Sequence, residues 1–246
     1  MRCGLVLLAL LVPATAHAGR NFYGWLNDTD VMPERGVEMQ NWIEEENHND
    51  VDGGRSTTTW GVAPFIGITD QLELALPVEV VWFGKTGGAA GTSFTNFGAQ
   101  LRYRLVTNDP EEKPPFAPLV HVDVRRLTYN RDAVEGKVGF SGSFESGIVH
   151  ALVDVAFVTE IDDESEYGVN PGAGVSIEVA DDIRVGAEVF GHVSFNDPDM
   201  PGAPKNWLIA GPNASWTHGR FWLSGAFAFG LQNIGTAPRV TWGIAF

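Results

Sequence analysis

Thirteen side chains carry the charges and imidazoles that could do chemistry if the fold gathers them: Glu73, Glu79, Arg102, Arg104, His121, Asp123, Arg125, His150, Asp154, Glu178, Arg184, Glu188 and His192. His121 and Asp123 are two apart, and His150 and Asp154 four apart. That spacing puts each pair on one face of an extended strand. Imidazole beside carboxylate suits a divalent metal, but no HExxH or comparable ligand spacing occurs, so no metal is expected. Nucleophilic catalysis needs a Ser or Asp system with a positioned histidine. None is legible, and the chain is expected to be no enzyme and to need no cofactor. What remains is a polar lining whose charges pair with one another or orient a passing solute.

Such a lining has to be held by extended segments, and these are what the chain contains. About ten alternating residues followed by a turn recur twelve times, near 37–45, 56–66, 72–83, 94–105, 116–126, 134–144, 148–159, 168–179, 183–195, 206–217, 220–231 and 238–246. Period-two alternation marks strands whose two faces meet different surroundings. Eight segments have a clear phase. Their apolar face, typified by Leu72, Leu74, Leu76, Val78, Val80 and Trp82 or by Val149, Ala151, Val153, Val155 and Phe157, carries no charge. The thirteen residues above fall on the opposite face. Lipid outside explains this, because a basic residue at mid-membrane on a barrel's outer face costs about 2–4 kcal/mol. Aromatic residues near strand ends, Trp82, Phe83, Phe94, Phe116, Phe157, Phe195, Trp207, Trp216, Phe221 and Phe246, read as an interfacial girdle. The expected fold is therefore all-β, a transmembrane antiparallel up-and-down barrel of about twelve strands.

Simple hairpin registers set Glu73 opposite Arg104 and Glu178 opposite Arg184, cross-strand pairs that stitch a lumen. Glu79, Asp123, Asp154, Glu188 and His192 find no local partner in that scheme and are the first candidates for contact with a solute. The inner face of 220–231, with Ser224, Ala226, Ala228 and Gly230, is small and leaves room for a passage. The turns Thr69-Asp70-Gln71, Ser146-Gly147, Ala180-Asp181-Asp182 and His218-Gly219 are tight and should face the periplasm. The longer connections should face outward, and two of them, at 44–52 and 162–166, are strongly acidic. The connection 106–115 is long for a tight turn and could hide a further hairpin.

The ends of the chain fix the compartment. Residues 1–18 have Arg2, an apolar run from Leu5 to Val12 and a small-x-small close at Ala16-His17-Ala18, which reads as a secretory signal peptide. Cys3, the single cysteine, leaves with it, so disulfides and cysteine-based sites are excluded from the mature chain. The formal net charge of −15 argues against nucleic acid as a partner. Residues 19–36 form an N-terminal periplasmic or plug segment, with Phe22, Tyr23 and Trp25 as stoppers, and 37–246 the barrel. The last strand alternates Val240, Trp242, Ile244 and Phe246 and ends on an aromatic carboxyl terminus. That pattern resembles the signal by which the barrel-assembly machinery recognises outer-membrane barrels. Three weaker matches fail: Gly84-Lys85-Thr86 has Glu79 in place of the first P-loop glycine; His48–Gly53 begins with His where a calcium loop needs Asp; Asn213-Ala214-Ser215 lies within a strand.

The segment Gly67-Ile68-Thr69-Asp70-Gln71-Leu72-Glu73-Leu74 resembles the first periplasmic hairpin of outer-membrane barrels grouped as meta-pathway phenol-degradation transporters. Gly98-Ala99-Gln100-Leu101-Arg102-Tyr103-Arg104-Leu105 is similar to the following strand of that family. The resemblance covers residues 56–105 and implies passage of small hydrophobic or aromatic compounds. Taken together, the expectation is a monomeric barrel in the bacterial outer membrane, solvated by lipid, acting as a passive channel for small solutes. The rival is a closed structural or binding barrel whose lumen is filled by ion pairs and by the N-terminal segment.

Overall fold

Twelve membrane-spanning strands close into an antiparallel barrel in the computed structural model, which describes residues 21–48, 55–85, 92–107, 114–128, 133–161, 165–195 and 206–246. The signal peptide and much of the acidic connections lie outside the described residues. In chain order the strands are β1 (Val37–His48), β2 (Arg55–Gly67), β3 (Leu72–Ala75), β4 (Val78–Lys85), β5 (Thr92–Arg104), β6 (Phe116–Arg126) and β7 (Val134–Ser146). They continue with β8 (Val149–Ile161), β9 (Glu166–Ala180), β10 (Ile183–Ser194), β11 (Asn206–His218), β12 (Phe221–Gln232) and β13 (Thr236–Ala245). β3 and β4 both pair with β2 and with β5, every other strand pairs with its neighbours in sequence, and β1 pairs with β13, Asn41 lying opposite Trp242, which closes the sheet and leaves no edge.

β3 and β4 are one span interrupted at Leu76-Pro77. Proline lacks the N–H that a ladder needs. Leu76 donates to the Pro64 carbonyl and Pro77 accepts from Gly98, so the span stays attached on both sides and keeps its facing. β5 and β6 pair directly, Arg104 opposite Leu119, and residues 108–113 of the connection between them lie outside the described residues.

Sidedness follows the residue parity. Val120, Val122 and Val124 of β6, Val153 and Val155 of β8, and Phe227 and Phe229 of β12 are exposed on the outer face. Their β-neighbours Leu119, Asp123, Leu152, Ala226 and Ala228 are buried on the inner face. β7, whose phase the sequence left open, turns Val138, Phe140 and Phe144 outward and Glu135 and Lys137 inward. A continuous outward apolar band with the polar groups inside suits lipid, and no water-facing sandwich would choose it.

The two rims differ. At one, β7–β8, β9–β10 and β11–β12 join through short turns carrying Gly147 (φ 58°), Asp182 (φ 67°) and Gly219 (φ 60°), conformations that favour glycine or Asp. The chain enters β1 and leaves β13 at this rim, where the Phe246 N–H donates to the Val37 carbonyl at 2.8 Å. The β5–β6 connection also lies at this rim; the other rim carries the β1–β2, β4–β5, β6–β7, β8–β9, β10–β11 and β12–β13 connections.

Candidate functional site

The tight-turn half of the lumen is filled by the chain's own residues 21–36. The segment is moored at the rim, where the Arg35 N–H donates to the Gly67 carbonyl (3.0 Å) and the Glu34 N–H to Asp70 (3.0 Å), and then runs up inside the barrel. All three buried apolar clusters among the described residues include it. Met32 packs with Trp42, Phe65 and Trp222; Trp25 with Ile209, Ala226 and Ile234; Phe22, Tyr23 and Leu26 with Leu152. Each such side chain withdrawn from water contributes about 1.5–3 kcal/mol.

The small residues on the inner wall are where this segment sits. The Ser224 hydroxyl donates to the Tyr23 carbonyl at 2.9 Å, and a Cβ added to Gly24 would meet Ala226 Cβ at 2.6 Å. The room left by Ser224, Ala226 and Ala228 is thus occupied by backbone and does not remain an open passage.

The segment has no regular structure, so its backbone groups need side-chain partners. Glu188, only 4% exposed, accepts from three consecutive N–H groups: Gly24 (2.8 Å), Trp25 (3.0 Å) and Leu26 (3.2 Å). Glu73 accepts from Met32 N–H at 2.7 Å and from Arg102 at 2.8 Å. Arg102 also donates to the carbonyls of Asp28 and Asp30, and Arg104 pairs with the Asp30 carboxylate. His150 lies 3.2 Å from Asp28 and 3.0 Å from the Tyr23 hydroxyl, with Phe22 edge-on to its ring. Arg184 sits over the Phe22 ring at 4.4 Å and pairs with Glu178 at 3.2 Å and Glu145 at 3.4 Å. Burial pushes the Tyr23 phenol well above its ordinary pKa, and the Asp28 carboxylate adds to the rise.

Beyond Leu26 the lumen opens. A cavity of about 730 Å³ occupies the half nearer the long connections, and its floor is the top of the segment at Trp25, Leu26 and Asn27. Trp25 stacks on Phe190 (centroids 5.9 Å apart), and Trp207 stands edge-on to Trp25 at 6.5 Å. Phe83 also lines this space, so Trp207 and Phe83 belong to the lumen and not to the outer girdle. Strand parity decides their direction, whatever their height. The wall brings together Glu79, His121, Asp123, Arg125, Asp154, His192 and Arg239, together with Glu44, Glu46, Glu135, Lys137, Glu160 and Glu166, which the sequence does not single out as lining. Eight carboxylates face four basic side chains there.

None of the five side chains left without local partners stands alone. Arg125 bridges Glu79 (2.7 Å) and Asp123 (3.0 Å). Asp154 takes His121 (3.2 Å) and the Ser141 hydroxyl (2.5 Å), and His192 lies 2.7 Å from Asn170 and 3.3 Å from Glu166. Glu188 holds the segment's backbone. Arg184 does stand opposite Glu178, but Glu73 stands opposite Arg102 and not Arg104. The same offset holds along β4, with Val78 opposite Phe97, so the hairpin is centred one residue earlier than a symmetric loop would place it.

The Ser141, Asp154 and His121 side chains are the components of a hydrolytic triad in the wrong order. The hydroxyl donates to the carboxylate, and the imidazole also meets the carboxylate, so the imidazole is not placed to take the serine proton. Among the described residues no group of three or more His, Cys, Asp or Glu side chains is arranged to hold a metal ion. Val240, Ile244 and Phe246 are exposed on the outer face of β13 and its terminus, with Trp242 half-buried between them.

No family model matches the chain, and no curated protein matches its sequence. Solved structures do. The COG4313 outer membrane channel from Pseudomonas putida F1 superimposes with a TM-score of 0.64 at 11% identity, over 90% of this chain and 99% of that one. It shares their fold. The NanC porin gives 0.57 at 7% identity over 85% and 98% of the two chains. The translocator domain of the autotransporter NalP from Neisseria meningitidis gives 0.53 at 11% over 85% and 87%. At such identities the likeness is one of architecture, that of bacterial outer-membrane barrels, and the side chains inside this lumen are its own.

Proposed function

We propose that the protein is a passive channel of the bacterial outer membrane for small solutes, hydrophobic or aromatic ones among them. Its segment 21–36 serves as an internal stopper. The observation that carries this reading is the cavity of about 730 Å³ on the lumen axis, polar-walled and floored by Trp25, Phe190 and Trp207. A purely structural barrel of this girth would fill that space with side chains. An aromatic floor under a charged wall gives a flat solute a face to lie on and polar groups to orient it. The tight-turn rim faces the periplasm and the acidic connections face outward. The Val240–Phe246 strand is read by the assembly machinery, and the barrel works as a monomer in lipid, without a cofactor and without catalysing a reaction.

Liposome swelling tests this with the refolded mature chain and with a chain lacking residues 21–33, using small uncharged sugars and phenol. Entry should be slow for the first and fast for the second. Exclusion of every solute by both, in protein shown folded by heat-dependent gel mobility, would overturn the channel reading. The second reading, a closed barrel that binds a ligand in its outer half, rests on the filled tight-turn half. It would be favoured by saturable binding of the aromatic solute without entry.

A further inference from the structure

One polar side chain stands where only lipid should be. On β1 the residues Glu38, Gln40, Trp42, Glu44 and Glu46 face the lumen, while Met39 and Ile43 are exposed on the outer face. Asn41 lies between the last two and shares their parity, so its amide points at the membrane. It stands opposite Trp242 of β13 on one side and Val62 of β2 on the other. Val37, four residues earlier, lies at the tight-turn rim, where its carbonyl accepts from Phe246. Four residues of a tilted strand climb about 10 Å, which sets the amide well inside an apolar band about 25 Å tall.

Elsewhere the wall at mid-height is apolar, as Val122, Val153, Val175 and Phe227 show. Among the described residues Asn41 is the one amide there, and no hydrogen bond reaches its side chain. An amide carries two N–H donors and a carbonyl acceptor. Left unpaired in hydrocarbon these are costly, and a lipid chain has neither donor nor acceptor to offer. Headgroups, which do, lie out at the rims. The group that satisfies this amide must therefore come from protein at the same depth. A second copy of the chain brings one there by necessity, since both barrels enter the membrane in the same sense.

We infer that the outer face of β1, centred on Asn41, docks a second copy of the barrel within the membrane. An amide is its own complement. About a two-fold axis along the membrane normal, the carbonyl of one Asn41 accepts from the N–H of the other, and the reverse. Met39, Ile43, Trp60, Val240 and Ile244, all exposed around it, supply apolar area, and the Trp60 and Trp242 rings give it rigid faces. The inference goes beyond the channel reading and leaves it in place. Each barrel keeps its own lumen and remains the working unit, so the pair is two single channels side by side.

Cysteine cross-linking tests this cleanly, because the one cysteine, Cys3, precedes the mature chain. Ile43→Cys puts a thiol on the outer face two residues from Asn41. Val153→Cys puts one across the barrel on β8, also four residues from the tight-turn end of its strand. Both refolded chains are placed in phospholipid vesicles at low protein density and treated with a short bismaleimide. Ile43→Cys should yield about threefold or more cross-linked dimer than Val153→Cys. Adding Asn41→Leu to Ile43→Cys should lower the yield to that of Val153→Cys, in a barrel that folds at least as well by heat-dependent gel mobility, because leucine suits lipid. Asn41→Ala takes its place should the leucine variant not refold. Equal yields from the two single-cysteine barrels, or a dimer that survives loss of the amide, overturn the inference. Neither result touches the channel reading, which swelling of the same vesicles decides separately.

Discussion

The two halves of the lumen have the same wall strands and opposite physics. In the tight-turn half, charges are buried and bound to backbone: Glu188 to three N–H groups, Glu73 to Met32 N–H, Arg102 to two carbonyls. In the half near the long connections, charges meet each other side by side, Arg125 with Glu79 and Asp123, Lys137 with Glu135, Arg239 with Glu44. Buried charge must be matched group by group, since an orphan costs several kcal/mol, whereas a partly wetted pair contributes little and tolerates change. One half is therefore a folded core that happens to lie within a barrel, and the other is a lined space.

This contrast can be broken most directly at Trp25. Trp25→Ala removes a ring that packs on Phe190 and Trp207 and whose indole N–H donates to the Ala237 carbonyl. It should cost about 3–5 kcal/mol in urea unfolding of the detergent-solubilised barrel and enlarge the wide cavity. A loss below 1 kcal/mol would mean that the segment is not part of the core. Glu188→Ala comes next, at about 2–3 kcal/mol, because three N–H groups lose a charged acceptor. Proteolysis should then cut the segment in the folded barrel, and continued protection would show that the apolar contacts alone hold it.

Alkali should sharpen the same contrast. The Tyr23 pKa is raised in the folded state, so the contribution of its neutral phenol is complete below the ordinary value of about 10 and declines as the pH climbs above it toward the folded value. Tyr23 should titrate above the ordinary tyrosine range in an ultraviolet scan, and protease sensitivity of the segment should rise with it. The smallest effect belongs to the wide half. Asp154→Asn, which keeps partners for Ser141 and His121, should change stability by less than about 1 kcal/mol.

The strands were legible because lipid imposes a strict two-residue period on one face. β6 occupies the residues that alternation indicates, and the outward rows of β8, β12 and β13 follow the apolar phase. β7 was harder, since Gly136, Gly139 and Gly142 interrupt the contrast between its faces. Val138, Phe140 and Phe144 share a parity and would have assigned it. Trp207 and Phe83 were misread because height along the strand was weighed ahead of parity. The partners of Glu188 and Glu79 were invisible for different reasons. Glu79 meets Arg125 across an intervening strand, a contact that nearest-neighbour register cannot show. Glu188 is satisfied by backbone from a segment 162 to 164 residues away, which leaves no trace in side-chain types. Phe22, Tyr23 and Trp25 marked the segment as apolar, but nothing periodic in it told where it would dock.

The carboxylate of Glu188 also bears on assembly. Its strand lies in the second half of the chain, and the three N–H groups it holds precede the first strand. A sheet that closed its β1–β13 seam around an empty interior would strand that carboxylate, Glu73 and Arg102 in a narrow space without their backbone partners. A barrel closed without residues 21–36 leaves those groups to water, so it is expected to be less stable than the filled one.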